Sequence, residues 1–162
     1  MTDLIIKGRK GLLIAFKCPN PDELIGKKSL LELDCESIKE ALKKPFIVLE
    51  DINIFIEYKD KMYNFTIPKG YDWNGANVPP FAWVIIGQRT DPRFMLASCV
   101  HDYMCEYHEV VENNRYLSTL IFETLCLHFG KFNAIKRWAM FHGVDNFQKV
   151  FGKDLNKRKW GK

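Results

Sequence analysis

Asp51-Ile52-Asn53-Ile54-Phe55-Ile56-Glu57-Tyr58, followed by Lys59-Asp60-Lys61 and then Met62-Tyr63-Asn64-Phe65-Thr66-Ile67, is the stretch that decides the fold class. Apolar and polar side chains alternate along its first arm. An extended chain turns successive side chains to opposite faces, so this pattern predicts a strand with one buried face. The polar triplet reads as a turn and the second arm as the returning strand, which makes a hairpin. Upstream, Leu12 to Phe16 is a further short apolar run. Ser37 to Lys44 reads as a short helix ending before Pro45, because Ser37 and Glu40 have the spacing of a capping box.

Downstream of the hairpin the hydrophobic period changes to that of a helix. From Pro92 onward, Phe94, Met95, Ala97, Ser98, Val100, His101 and Met104 set small and apolar side chains at helical spacing. Asn113 or Asn114 is placed to cap a second helix through Leu117, Leu120, Ile121, Thr124, Leu125 and His128, which Gly130 should stop. A third helix is expected from about Asn133 to Phe151, with Ile135, Trp138, Ala139 and Phe141 supplying much of its buried surface. Gly143 interrupts it at a cost of roughly 1 kcal/mol relative to Ala. The expectation is an α+β fold in which N-terminal antiparallel strands, the hairpin among them, pack against a C-terminal three-helix segment. Residues 1–151 would form a single domain and residues 152–162 a basic tail.

Composition supports a packed interior: 47% of the 162 residues are hydrophobic and 14% aromatic, far from the signature of disorder. The net charge of +4 is confined to the tail. There Lys153, Lys157, Arg158, Lys159 and Lys162 oppose only Asp154, and the rest of the chain balances. A solvated terminus is the plain interpretation of such a tail. Five cysteines without a CxxC pair argue against a disulfide framework and for a reducing compartment. Asp3, Lys7, Arg9 and Lys10 break the apolar N-terminal stretch, unlike a signal peptide, and no run reaches the roughly 20 apolar residues of a membrane span. The expectation is a soluble, cytoplasmic protein with no membrane partner.

Two segments can carry chemistry. Pro68-Lys69-Gly70-Tyr71-Asp72-Trp73-Asn74-Gly75-Ala76-Asn77-Val78-Pro79-Pro80 is rich in glycine, proline and asparagine and holds two aromatics, so neither a helix nor a plain strand is expected. Asp72, Trp73, Asn74 and Asn77 are its candidate ligand-binding residues, although Trp73 would equally serve as a core plug. The second segment is Cys99-Val100-His101-Asp102-Tyr103-Met104, mid-helix in apolar surroundings. Adjacent helical residues point about 100° apart, so His101 and Asp102 cannot both face the core and suit the rim of a cleft. His101 has the ordinary basicity for proton transfer near neutrality, and with Asp102 it belongs to the vocabulary of metal ligands. Cys105 lies on the same helical face as His101, and His108 about one turn further on, so a divalent metal is one option for the site. The plainer interpretation of His101 is a hydrogen-bonded structural histidine. No catalytic triad, phosphate loop or dinucleotide motif is present.

Pro68–Pro79 (PKGYDWNGANVP), Val100–Cys105 (VHDYMC) and the stretch around Ser118 to Phe122 follow in an order that resembles the phage and prophage family known as domain of unknown function 1353. The resemblance runs from about Phe65 to Phe151. It aligns Gly70, Gly75, Ala76, Val78 and Pro79 with the family's loop, and His101, Asp102 and Tyr103 with its helix. What it implies is a shared site built from these segments, Tyr103 included. The chain departs from the family at three positions: Asn74 stands for the loop aspartate, Asn77 for a serine, and Thr119 for a later aspartate. Losing two carboxylates while gaining amides favours recognition over catalysis. The expected function is a phage-type accessory protein that binds a protein or small molecule. Hydrolase-like chemistry at His101 and Asp102, with or without a metal, is the alternative. Nucleic-acid binding rests only on the basic tail with Trp160 and is the least favoured.

Overall fold

The computed structural model of the chain describes residues 3–31, 33–75 and 91–151. Ala76 to Pro80, Asn77 among them, and the basic tail lie outside the described residues. Seven strands and four α-helices follow within them: β1 (Leu4–Lys7), β2 (Leu13–Phe16), β3 (Ile25–Lys27), α1 (Cys35–Lys43), β4 (Phe46–Val48), β5 (Ile52–Tyr58), β6 (Lys61–Ile67), β7 (Asp72–Trp73), α2 (Met95–Glu106), α3 (Arg115–Gly130) and α4 (Ala134–Phe151). Strands occupy the first half and α2 to α4 the second. The fold is α+β.

Two antiparallel sheets form, one in the order β1-β2-β5-β6 and a smaller one in the order β3-β4-β7. The hairpin is as the alternation dictates. Ile52, Ile54, Ile56 and Tyr58 are buried, and Ile67, Phe65 and Tyr63 stand opposite the first three. On β2, Ile14 and Phe16 continue this apolar face beside Ile56 and Ile54. The turn is tighter than the sequence suggests. Only Lys59 and Asp60 span it, both at positive φ (52° and 60°), and Lys61 already pairs with Tyr58. This is the two-residue turn whose twist matches that of the strands it joins. The opposite face of the sheet carries exposed Ile5 and Met62, so among the described residues the helices pack on the other face.

Several elements differ from expectation. Asp34 caps α1, accepting a hydrogen bond from the Ser37 amide at 2.7 Å; Ser37 sits inside the first turn, and Glu40 turns to Lys43. An aspartate is as good a cap as serine, and here it comes three residues earlier. Asp72 and Trp73 do form a strand, pairing with Ile47 and Phe46. Asn114 caps α3 as expected, through the Leu117 amide at 3.0 Å. Gly130, however, ends α3 without taking the left-handed conformation, which falls to Lys131 (φ 50°). Its lack of a side chain serves packing: a Cβ there would lie 2.2 Å from the Phe132 ring. On α4, Ile135 (75% exposed) and Trp138 (65%) face outward, and Met140, Phe141 and Asp145 make the buried side.

Helix α3 is central. Every residue from Leu117 to Cys126 is buried, as befits a helix surrounded on all sides, and the cluster of buried side chains joins it to both sheets and to the other C-terminal helices. The β1–β2 turn grips it. Arg9 donates to Glu123 at 2.7 Å and lies over the Phe141 ring, while Lys10 covers Tyr116. Gly8 touches the helix so closely that a Cβ would stand 2.6 Å from Thr124 Oγ1. Among the described residues, no helix is long and apolar enough to cross a membrane.

Candidate functional site

The site is organised by a stripe on α2. Ser98, Asp102 and Glu106 recur at intervals of four, which puts them on one helical face, and His101 and Cys105 form a parallel row beside them. Segment Tyr71–Trp73 lies along this face. At one end the Trp73 indole N–H donates to Ser98 Oγ at 3.2 Å, and Ser98 in turn donates to the Met95 carbonyl at 3.0 Å. At the other end the Tyr71 hydroxyl donates to Glu106 at 3.3 Å. Asp102 lies between these two ties. The described part of the loop, through Gly75, thereby meets the helix that carries His101 and Asp102.

Strand alternation explains why Asp72 behaves differently from its neighbours. Tyr71 and Trp73 point to α2 with their rings nearly parallel, 6.4 Å apart. Asp72 leaves the other side of the chain, where Lys28 and Lys44 (3.2 Å) hold its carboxylate. Burial alone would raise the pKa of Asp72, but the two ammonium groups prevail and keep it below the usual carboxylate range. Asp72 is thus a tie between β7 and the β3 and α1 ends. Trp73 is buried and packs on Phe46, the core plug that its size allows. Asn74 follows directly at the edge of the described loop. Tyr103 joins the aromatic lining, stacked on Phe65 and edge-on to Tyr71 with centroids 5.1 Å apart.

His101 is the most constrained member of the second row. Its ring meets Phe122 of α3, its Nδ1 lies 3.7 Å from Asp102 Oδ1, and Cys105 Sγ stands 3.8 Å from both ring nitrogens. Burial on its own would lower the imidazole's basicity. The Cys105 sulfur and the Asp102 carboxylate outweigh it, and the ring is pushed up to about 10. Asp102 is raised above the ordinary carboxylate range, first by burial, with Glu106 adding to it and His101 opposing. Burial also raises the Tyr71 hydroxyl, helped by the charges of Asp102 and Glu106, so Tyr71 stays a neutral donor. Near neutrality the face therefore presents a proton-bearing imidazole, the carboxyl group of Asp102 beside it and a phenol.

A proton-bearing imidazole is a donor and not a base. Thr119 lies one turn before Phe122 on α3, on the same side of that helix, and its hydroxyl donates to the Arg115 carbonyl at 3.2 Å. Among the described residues, no three His, Cys, Asp or Glu side chains gather as a metal-binding group. His101 and Asp102 are met there as a pair and not as a ligand shell.

Tyr71, Ser98 and Glu106 were not singled out as partners in the sequence. The four-residue spacing of Ser98, Asp102 and Glu106 was the available signal, together with the alternation of Tyr71 and Trp73 about Asp72. Nothing local announces Lys28 and Lys44 as partners of Asp72. Residues 49–144 match the family described as Protein of unknown function (DUF1353), beginning just ahead of β5 and ending inside α4. No curated protein and no solved structure matches the chain.

Proposed function

The chain belongs to this family of unknown function, and from that premise we propose that it is a recognition protein, an accessory of phage or prophage origin acting in the cytoplasm. Its ligand would sit where the Tyr71–Asn74 segment meets the Ser98–Glu106 face of α2. One observation carries this reading: the loop is tied at both ends of the polar stripe, which leaves His101 and Asp102 beside a fixed, aromatic-lined edge. Such a surface offers charged donors and acceptors in rigid positions with little to reorganise on binding. Asn74, in place of an aspartate, adds an amide that both donates and accepts. Asn77 is assigned to the same ligand by its place in the loop.

The alternative, hydrolysis at His101 and Asp102, is supported by their adjacency but needs a base, and a protonated His101 cannot serve as one near neutrality. Nucleic-acid binding would rest on the basic tail. The test is chemical-shift mapping of the full chain against a library of small polar metabolites. Shifts clustered on residues 71–75 and 98–106 and lost in His101→Gln are expected. Metal-stimulated ester or phosphoester hydrolysis abolished by both His101→Ala and Asp102→Ala would overturn the reading.

A further inference from the structure

The row that holds His101 also holds a sulfur, and the binding reading makes no use of it. We propose that Cys105 is a nucleophilic thiol that takes soft carbon electrophiles, with His101 stabilising the charge that develops on sulfur and Asp102 orienting the imidazole. Three observations converge on this. Cys105 is half-buried and so reachable, whereas Cys99 and Cys126 are enclosed in the core. Its sulfur lies 3.8 Å from both ring nitrogens of His101, and Nδ1 of that ring lies 3.7 Å from Asp102 Oδ1. A nucleophile beside an imidazole that a third group orients is the arrangement from which thiol chemistry proceeds. The thiolate is the form of a cysteine that attacks.

The other cysteines supply the contrast. Burial pushes the Cys18 thiol up, and those of Cys99 and Cys126 well up. Cys35 is exposed at the start of α1 and serves as an internal reference. In the reaction the thiol proton passes to solvent, a sulfur–carbon bond forms, and the leaving group departs with its bonding electrons. With iodoacetamide that group is iodide. No oxidant or cofactor enters.

Labelling of the full chain with limiting iodoacetamide at pH 7, followed by mass spectrometry of each cysteine peptide, reads the site directly. Cys105 is expected to react about tenfold faster than Cys35. His101→Gln should bring it down to the Cys35 rate without changing Cys35 itself. A Cys105 rate at or below that of Cys35 would overturn the proposal, and so would a fast rate indifferent to His101→Gln. If the variant unfolds, as labelling of Cys99 and Cys126 would reveal, the wild-type ratio alone decides: tenfold supports the proposal and unity overturns it. The measurement needs no bound ligand, so its failure leaves the recognition reading standing, and failure of ligand mapping leaves the thiol untouched.

Discussion

Among the described residues, two ion pairs have both side chains less than a quarter exposed, and they do opposite kinds of work. Arg115 on α3 and Asp145 on α4 are thirty residues apart, and their contact ties two helices together. His101 and Asp102 are neighbours on one helix. A contact between adjacent residues spans nothing, so it contributes little to holding elements in place. Placing a charged pair half out of water costs free energy that must be offset by something other than tertiary fastening. The comparison teaches where function is to be sought: at the pair that the fold does not need.

The widest separation between the two pairs should come from stability. Asp145→Ala leaves Arg115 beside the space of a lost partner, and a loss of about 3 kcal/mol in urea unfolding is expected. Next is Gly8→Ala, which drives a methyl into Thr124 on the same central helix. About 2 kcal/mol should be lost, and Thr124→Ala in the same chain should restore part of it. A Gly8→Ala chain as stable as the parent would show that the β1–β2 turn does not grip α3.

His101→Gln is set apart by a pH dependence that identifies its origin. The folded imidazole is held up to about 10, against an ordinary 6.5, so its contribution is complete below 6.5 and lost as pH rises toward 10. The gap in stability between parent and variant should thus close in alkali. Asp72→Asn should show the reverse at under about 1 kcal/mol, since its carboxylate is partly solvated. Because Lys28 and Lys44 hold Asp72 below 3.8, its contribution is present above that value and fades as pH falls beneath it. Parallel pH profiles for the two variants would break the comparison.

How much of this was legible in the sequence depends on range. The β5–β6 hairpin and the three C-terminal helices were legible because their periods run for seven or more residues, long enough for a pattern to repeat. Strands β1, β3, β4 and β7 have two to four residues each and carry no period. Their existence follows from pairings such as Phe46 with Trp73, which no local pattern encodes. Helix α4 misled for a different reason. Ile135 and Trp138 lie on the face away from the core, whereas Phe141 is buried as expected, together with Met140 and Asp145. At the site, the His101–Asp102 dipeptide was conspicuous, but the loop tied to its helix came from 25 to 35 residues away, and the clamp on Asp72 came from Lys28, 44 residues earlier. Asn77, the other amide of the loop, lies outside the described residues.

The most direct test of the account is an NMR titration of the His101 imidazole in the intact chain. A ring held as a fixed cation for recognition keeps its proton through pH 8, with the change displaced upward from 6.5. A ring that titrates at or below 6.5 would be a free base at neutrality, and would contradict the assignment of this face to recognition.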